Sequence, residues 1–507
     1  MSSLLIRQAR LVPIAGRPAP EGPFDVPVDV RVEGDRVVEV APSLRPRAMD
    51  DVLDADGRWL VPGLWDQHVH MGQWAANATR LDLSATSSAD EVVRMVAAEV
   101  GARSAGPGLA VLQGFGHRTA GWARQPTVAE LDAVTGDAPV VLISGDAHHG
   151  WLNSAAQRLL GVPQRDTVVE ENDWFPVFAR LDELTQTTQG RRTAYAKVLD
   201  AALRRGVVGV RDMEWADNAT EWIERSASGL AVLRVRTATY AVGLADTIAA
   251  GRRSGDVLDE GGMVTMGPLK IISDGSLNTR TAFCHDPYVG DDVLEHPRGQ
   301  ANTSPEELVD LLAQARAHGL DVAVHAIGDA AVGIALDAFA ATGAVGSIEH
   351  AQLVALPDLD RMGRLGVVAS VQPAHLIDDR DVTHQCWPDR ADRCFPLRSM
   401  VRAGVTLALG SDAPVAPLDP WEAMAAAVHR TGDEREEWNA AETITVAQAL
   451  AASVDDAPTV GSGSLADLVL LDDNPCAAGE SGPHAAAHLR GMHVFATIVA
   501  GRVALRP

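Results

Sequence analysis

Apolar runs of strand length alternate with Ala-, Leu- and charge-rich stretches through the middle of the chain, and this alternation predicts an α/β fold. Helices are predicted between the runs at Ser304–His318 and Pro420–Arg430. Ten strands are predicted: Trp59–His70, Gly108–Phe115, Pro139–Ser144, Val207–Met213, Leu233–Tyr240, Leu269–Asp274, Asp321–His325, Ser347–His350, Val367–Gln372 and Thr406–Ser411. Because a (β/α)8 TIM barrel has eight strands, we assign the two runs within residues 71–190 to an insertion after strand 1.

Both ends of the chain carry short β-type runs separated by turn residues, without an amphipathic helix between them. These runs are Leu4–Arg7, Val28–Val32, Arg36–Val40, Val52–Asp54, Leu465–Asp472, Val494–Val499 and Arg502–Leu505. We expect residues 1–60 and 455–507 to form one composite β-sandwich from both chain ends, and two separate β-ribbons are the alternative. The barrel would then occupy 61–454. The Ala-, Gly- and His-rich segment that follows Asn474-Pro475 and runs through Ala487 is predicted to be a surface loop.

Composition narrows the class of protein further. The 507 residues are 46% hydrophobic, enough for a large core, and 43 basic against 68 acidic residues give a net charge of −25. This charge argues against binding to nucleic acid or to an anionic membrane surface. We expect a cytoplasmic protein, because the chain shows neither a signal peptide nor an apolar run that could span a bilayer. The four cysteines lack C-x-x-C spacing, so no disulfide framework or zinc knuckle is indicated.

A pair of histidines ends the first predicted barrel strand. Residues i and i+2 of a strand point to the same face, so His68 and His70 can bind one metal ion, although coincidence is the alternative for the pair alone. Four more candidate ligands lie in or at the ends of strands four, five, six and eight: Lys270, His325, His350 and Asp412. The carboxyl ends of barrel strands converge on one pocket, which favours a metal centre.

Imidazole and carboxylate groups suit zinc or another divalent first-row metal. Taken singly, His325 and His350 could be structural histidines, and Asp412 could be a turn or helix-cap residue. Lys270 has no lone pair for a metal while it is an ammonium group. It would act as a ligand only as a carbamate formed with carbon dioxide, and a buried lysine paired with Asp274 is the alternative.

Five ordered segments together resemble the amidohydrolase superfamily: Val61-Pro62-Gly63 with Asp66–His70, Leu269–Leu277, His325–Asp329, Ile348–Gln352 and Gly410–Val415. More narrowly, the chain resembles amidohydrolase family 3, the branch that contains N-substituted formamide deformylases, over about residues 4–503. The resemblance implies a distorted (β/α)8 barrel with a composite β-sandwich and one or two divalent ions, preferably zinc. His68, His70 and Asp412 would hold the buried ion, His325 and His350 the exposed one, and carbamylated Lys270 would bridge them.

Further residues are candidates for the substrate side of the pocket. His149 lies in the segment Asp146–Ser154, which resembles a family segment on the substrate side, and it is a candidate for contact with the substrate; a structural loop histidine is the alternative. Arg280, shortly after strand four, is a candidate for contact with a polar group of the substrate, and a surface salt bridge is the alternative. Gln372 and His375, at the end of strand seven, are candidates for lining the pocket. The chain departs from the family at Gly114–His117, where relatives commonly have Gly-Trp-Asp, so a relative's substrate does not transfer directly.

These observations predict an enzyme that hydrolyses a non-peptide C–N bond in an amide or N-substituted formamide by metal-activated hydroxide. Asp412 would accept the proton of water and return it to the departing nitrogen. The same scaffold can also support a deaminase, an esterase or an isomerase, and a non-catalytic binding protein is the rival from another class. The expected partner is a small-molecule substrate, and a homodimer is the commonest default assembly. The substrate itself stays open because specificity lies in the loops.

Overall fold

The structure is a computed structural model that describes residues 3–19, 24–103, 111–117, 119, 122–144, 149–170, 173–174, 176–177, 181, 188–215, 217–289 and 296–506. The chain folds as two compact units: residues 1–71 with 199–507, and residues 72–198.

The strands in the described residues are, in chain order, β1 (Ser3–Leu11), β2 (Val28–Glu33), β3 (Arg36–Ala41), β4 (Asp50–Asp54), β5 (Trp59–Pro62), β6 (Leu64–Val69), β7 (Leu81–Asp82), β8 (Leu112–His117), β9 (Val140–Ser144), β10 (His149–Leu152), β11 (Val169–Glu170), β12 (Val207–Asp212), β13 (Arg234–Tyr240), β14 (Val264–Ile272), β15 (Val322–Ala326), β16 (Gly346–His350), β17 (Val368–Val371), β18 (Leu407–Leu409), β19 (Leu468–Leu471), β20 (Val494–Val499) and β21 (Arg502–Leu505). The α-helices in the same residues are α1 (Met71–Ala78), α2 (Ala89–Arg103), α3 (Val128–Thr135), α4 (Ser154–Leu160), α5 (Thr188–Arg204), α6 (Asn218–Ala227), α7 (Ala241–Ala249), α8 (Pro305–Ala317), α9 (Asp329–Thr342), α10 (Leu356–Leu365), α11 (His375–Cys386), α12 (Leu397–Arg402), α13 (Pro420–Val428), α14 (Val446–Ala451) and α15 (Pro483–Arg490).

The larger unit is built around a parallel sheet in the order β6-β12-β13-β14-β15-β16-β17-β18, which makes eight strands among the described residues. The last strand returns to the first, because the Asp412 amide donates to the His68 carbonyl at 2.7 Å and Val69 forms a parallel bridge with Ala413. The sheet therefore nearly closes into the predicted barrel. All six residues of β6 are buried, as expected for a strand that is covered on both faces.

Helices cover the outside of the barrel through apolar faces that the pattern predicted. Leu308 and Leu312 of α8 and Phe339 of α9 are buried in the same core as the barrel strands. Local sequence also sets the start of α8, where Pro305 occupies the first turn and the Ser304 side chain accepts the Glu307 amide. Both predicted helices are present, as α8 and α13.

Strands from both chain ends form the β-sandwich. β1 pairs with β2 on one side, and on the other side it pairs first with β4 and then, near its end, with β5. From β5 the sheet continues with β19, β20 and β21. Side chains from the two ends share one core, in which Ile6 and Val30 pack with Leu468, Leu470 and Ile498. The predicted fold class, a (β/α)8 barrel with a composite β-sandwich and an insertion after strand 1, is confirmed.

The predicted strand Trp59–His70 is instead two strands that belong to different sheets. Pro62 pairs with Leu468 in the sandwich, whereas Leu64 pairs with Val207 in the barrel, and the break falls at Gly63. A Cβ at this glycine would lie 2.3 Å from the Val208 side chain, so the chain changes sheets where only a glycine fits. His70 lies one residue beyond the end of β6.

The prediction of a surface loop through Ala487 was wrong for its second half, where the structure has α15. Pro483 stands in the first turn of this helix, and Ala485, Ala486 and Leu489 are buried. Its small side chains allow close packing against α13, a contact that the composition of the segment alone did not indicate.

The smaller unit contains its own sheet, in the order β11-β10-β9-β8-β7. Two of the ten predicted strands are found there, as β8 and β9; residues 104–110, which include the start of the first of them, lie outside the described residues. No helix within the described part of the chain combines the length and the hydropathy that crossing a membrane requires.

Candidate metal centre

All six predicted ligands lie near the carboxyl ends of barrel strands. His68 is in β6 and His70 directly follows it, while Asp412 comes shortly after β18. The other three come from neighbouring strands: Lys270 is in β14, His325 in β15 and His350 in β16. Because β14 to β16 are parallel and adjacent, their ends place these side chains at the same mouth of the barrel.

His68, His70 and Asp412 form one group with the spacing of metal ligands. Asp412 Oδ1 lies 3.5 Å from His68 Nε2 and 3.4 Å from His70 Nε2. Two ligands that bind one tetrahedral zinc ion at about 2.0–2.1 Å are about 3.3–3.4 Å apart. Both Asp412 distances are close to this value, and the three candidate ligand atoms lie within 4.8 Å of one another, which favours one shared cation.

Glu349 sets the tautomer of His68. Its Oε2 lies 2.6 Å from His68 Nδ1, and its other oxygen accepts from the Ser347 hydroxyl. Burial raises the pKa of Glu349, but its hydrogen bond and charge interaction with His68 lower that pKa to about 2. The carboxylate thus holds a proton on Nδ1, so that Nε2 keeps its lone pair toward Asp412 and a metal ion.

Lys270 is buried among the ligands with 1% of its surface exposed. Its Nζ lies 3.2 Å from His68 Nε2. Asp274, the partner in the alternative interpretation, instead accepts the backbone amides of Phe283, Ile327 and Gly328 at 2.9–3.0 Å. Burial lowers the pKa of Lys270 and so favours the neutral amine, which is the form that reacts with carbon dioxide.

His325 and His350 are neighbours at the ends of β15 and β16, with ring centroids 4.6 Å apart. Burial, then the charge of Lys270, lowers the pKa of His325 to about 4, and burial with the neighbouring His325 lowers that of His350 well below its usual value. Both imidazoles are therefore neutral at pH 7, as metal ligands must be. His325 Nε2 lies 3.1 Å from the Gly275 carbonyl, to which it donates.

The backbone is strained at two of the predicted ligands. His350 and Asp412 have φ angles of 70° and 57°, in the left-handed region that non-glycine residues rarely adopt. Such residues cost about 1–3 kcal/mol each and cluster at functional sites. The backbone next to Asp412 is closely packed against the first barrel strand. A Cβ at Gly410, two residues before Asp412, would lie 2.7 Å from the His68 amide nitrogen.

The sequence pattern does not predict a role for Glu349 or Asp66, and it predicts that His375 lines the pocket rather than binds the metal. Asp66 is buried and accepts the amides of His68 and Ser411 at 3.0 Å, which ties the first barrel strand to the last. His375 forms a second group with His350 and Asp412 whose ligand atoms lie within 4.8 Å of one another. Asp66 and Glu349 are acidic residues inside apolar strands, and a buried carboxylate needs a polar partner. This position in the sequence could have indicated that each of them interacts with another residue of the centre.

The predicted substrate-side residues of the larger unit lie beyond β14 and β17. Gln372 is buried; its Nε2 donates to the Ser370 carbonyl at 3.2 Å, and its Oε1 has no hydrogen-bond partner among the described residues. Arg280 lies in the turn after β14, half-buried and with a φ of 56°. Their contact with a substrate stays a prediction.

His149 belongs to the smaller unit, where it begins β10. Its ring lies 5.1 Å from that of His117, the residue at which the chain departs from the family pattern, and its Nε2 is 3.5 Å from Thr119 Oγ1. Residues 145–148 of the same segment lie outside the described residues. A role for His149 in substrate binding also stays a prediction.

The chain is similar to known proteins along most of its length. Residues 51–505 match an amidohydrolase family, and the match covers most of the chain. The chain belongs to the amidohydrolase family. The predicted resemblance is thereby confirmed, and membership supports a hydrolase activity.

Relatives of this amidohydrolase are distant but cover nearly the whole chain. It is 28% identical over 468 residues to the protein LONG AFTER FAR-RED 3 of Arabidopsis thaliana, covering 83% of this chain and 79% of that one. It is 26% identical to an N-substituted formamide deformylase of Arthrobacter pascens, over 93% of this chain and 94% of that one. An uncharacterized metal-dependent hydrolase from Pyrococcus furiosus has the same fold, with a TM-score of 0.77, 24% identity and coverage of 93% and 99% of the two chains.

Proposed function

We propose that the protein is a metal-dependent hydrolase that cleaves a non-peptide C–N bond in an amide or an N-substituted formamide. The observation that supports this proposal most directly is the group of His68, His70 and Asp412, whose facing atoms are spaced as ligands of one cation. The similarity to an N-substituted formamide deformylase supports the choice of bond.

The proposed ligand set follows the six predicted residues. His68, His70 and Asp412 would hold the buried ion, His325 and His350 would contribute to the exposed position, and Lys270 would serve both positions as a carbamate. When bound, a divalent ion such as zinc lowers the pKa of a water molecule from about 15.7 toward about 7 and polarises the substrate carbonyl. The neutral imidazoles and the oriented Nε2 of His68 suit such an ion.

Asp412 is the proposed proton carrier. Although burial raises its pKa, the neighbouring His68 and His70 hold that pKa well below its ordinary value, so the carboxylate is ionised at pH 7. It can therefore accept the proton of the attacking water and deliver it to the departing nitrogen, which leaves poorly unless it is protonated.

The proposed modification of Lys270 is a carbamate. Its neutral amine nitrogen forms a bond to the carbon of carbon dioxide and loses one proton to solvent, which converts the side chain into an anionic carboxylate. The burial of Lys270 and its 3.2 Å distance from His68 Nε2 support a carboxylate beside the other proposed ligands. An anion there would offset the positive charge of the metal.

The proposed substrate is a small molecule, and Gln372 and Arg280 of the larger unit are its proposed contacts. A cytoplasmic location, a possible homodimer and the absence of nucleic-acid and membrane partners stay predictions. The buried Oε1 of Gln372 offers an acceptor for a substrate N–H group.

Product identification across a substrate panel tests the proposal. The zinc-loaded protein is incubated with N-substituted formamides, other amides, esters and aminated heterocycles, and products are separated by mass spectrometry. We expect the products to be an amine together with formate or another carboxylate. This activity should be lost after chelation and restored when metal is added back. Release of ammonia, of an alcohol or of an isomer would assign the scaffold to a deaminase, an esterase or an isomerase. A protein that neither binds metal nor turns over any substrate would point to a binding protein.

A further inference from the structure

We propose that a cavity between the β-sandwich and the amino-terminal end of the barrel binds a small organic acid, a molecule with a carboxylate and an apolar body. This sandwich–barrel cavity has a volume of about 550 Å³, and sites for small molecules typically measure about 300–1,000 Å³. Its lining includes residues at the starts of β6, β13 and β14. It therefore lies at the opposite end of the barrel from the candidate metal centre.

Apolar side chains of both the barrel and the sandwich line the cavity. Trp65 of β6 and Met263, which directly precedes β14, belong to the barrel side, and Leu468 of β19 belongs to the sandwich. Leu465, shortly before β19, also lines the cavity and has 42% of its surface exposed. An apolar group that covers such side chains removes them from water, which is favourable.

The carboxylates of the lining already have cationic partners. Arg236 binds Asp455 through both terminal nitrogens, at 2.7 and 2.6 Å, which is the strong two-pronged geometry of an arginine–carboxylate pair. A ligand cation would thus find no unpaired carboxylate among the described residues of the lining. The three pairs are Asp455 with Arg236, Asp467 with Arg234 and Asp456 with Arg17.

Hydrogen-bond donors of the lining, in contrast, are not all used. Arg36 forms no ion pair among the described residues, and its Nη1 donates to the Gly463 carbonyl at 3.1 Å. Arg234 Nη2 is buried and has no hydrogen-bond partner among the described residues. The unpaired charge of the lining is therefore positive, in a chain whose net charge is −25. A carboxylate accepts hydrogen bonds and matches the fork of a guanidinium group, so it suits these donors.

Arg36 and Leu465 lie side by side in the lining. They form an antiparallel bridge, and directly opposed residues of antiparallel strands have neighbouring side chains on one face. Both residues are exposed. A positive group and an apolar group are thus available together, which matches a carboxylate attached to an apolar body. An inorganic anion would use the first group and leave the second uncovered.

Calorimetric titration of the full-length, zinc-loaded protein with 3-phenylpropionate tests the inference. We expect saturable binding by the wild type. Two matched probes should bind more weakly: 3-phenylpropan-1-ol, which has the same apolar body without the charge, and acetate, which has the charge without the body.

Two arginine variants test where the carboxylate binds. Arg36→Gln should weaken binding of 3-phenylpropionate about 10- to 100-fold, the effect of losing a hydrogen bond between charged groups. Arg502→Gln is the matched control, since Arg502 is an exposed arginine of β21 outside the lining, and it should bind like the wild type.

A further variant adds a charge instead of removing one. Leu465→Glu places a carboxylate beside Arg36, and the fold should tolerate it because the position is exposed. The new carboxylate should pair with Arg36 and abolish binding of 3-phenylpropionate. Val52→Glu makes the same change at a residue of β4 that is 43% exposed and lies outside the lining, and it should not affect binding.

Thermal unfolding provides a second readout, because a ligand that binds the folded state raises the Tm. Excess 3-phenylpropionate should raise the Tm of the wild type, Arg502→Gln and Val52→Glu, and it should not change that of Arg36→Gln or Leu465→Glu. A wild type that shows no saturable binding would overturn the inference. Equal affinity in Arg36→Gln and the wild type would do so too, because the carboxylate would then bind elsewhere. Equal affinity of the wild type for the acid and for either matched probe would also overturn it.

The outcome does not depend on the proposed function. A protein that binds 3-phenylpropionate through Arg36 but hydrolyses no C–N bond would uphold the cavity site and contradict the proposed hydrolysis. A protein that hydrolyses an amide while Arg36→Gln keeps the wild-type affinity would do the reverse.

Discussion

At the scale of single residues, the proposed chemistry of the candidate metal centre depends on Asp412. It lies 3.4–3.5 Å from the Nε2 atoms of His68 and His70, and its strained backbone is held by the hydrogen bond from its amide to the His68 carbonyl. Asp412 is proposed both to bind the metal and to carry a proton, and a substitution that separates the two roles can test this.

Asp412→Asn should keep metal bound and lose most of the turnover. The amide oxygen retains lone pairs for a cation, but at neutral pH it cannot take a proton from water. General acid–base groups contribute about 100- to 10,000-fold, so kcat should fall by that factor. Metal analysis and steady-state kinetics of the same preparation check the retained metal and the lost turnover. A near-normal kcat would contradict the role of Asp412 as proton carrier.

Glu349 acts through His68 and should affect metal affinity. Glu349→Gln replaces the carboxylate that holds the proton on His68 Nδ1, and loss of such a partner typically weakens binding about 10- to 100-fold. Competition with a chromophoric chelator measures the zinc affinity. Glu442→Gln is the matched control, since Glu442 bonds to Ser399, and it should leave the affinity unchanged. Equal zinc affinity in Glu349→Gln and Glu442→Gln would contradict the role of Glu349 in orienting His68.

At the scale of elements, the junction of β5 and β6 joins the sandwich to the barrel. The chain leaves one sheet at Pro62 and enters the other at Leu64, with Gly63 against the Val208 side chain. Because β6 carries His68 and directly precedes His70, packing at this glycine also positions the metal centre.

Gly63→Ala should destabilise the protein by about 1–3 kcal/mol, the range for overpacking a filled core. Its Cβ would lie 2.3 Å from Val208, so Gly63→Ala with Val208→Ala should be less destabilised than the sum of the two single variants. Denaturant unfolding measures the free energies. Gly101→Ala, in α2 with no atom within 4 Å of the new Cβ, is the control and should be neutral or stabilising. Strict additivity of the Gly63 and Val208 changes would contradict the packing explanation.

At the scale of the whole molecule, the predicted ligands come from strands that are far apart in the chain, from His68 to Asp412. The two ends of the chain also meet in the sandwich, where β19, near the carboxyl terminus, pairs with β5, near the amino terminus. A cation at the centre would therefore connect the first barrel strand with the last and bind the folded state alone.

Metal removal should lower the stability of the whole protein. A ligand that binds only the folded state contributes about 2.7 kcal/mol at a free concentration of 100 times its Kd. Thermal unfolding with excess zinc and after chelation should show a higher Tm with zinc, and the difference should be smaller in His68→Ala. An identical Tm in both conditions would argue against a resident cation.

Sequence alone determined the eight barrel strands and the two β-rich ends, and it predicted the residues of the candidate metal centre. These features are local, because the periodicity of apolar side chains identifies a strand, and a motif such as His68-Val69-His70 places two ligands on one face. Tertiary structure decided the break at Gly63, the burial of α15, the bond from Glu349 to His68 and the approach of His375 to His350. Each of these depends on residues distant in sequence that meet only when the sheets close, and no local pattern encodes those meetings.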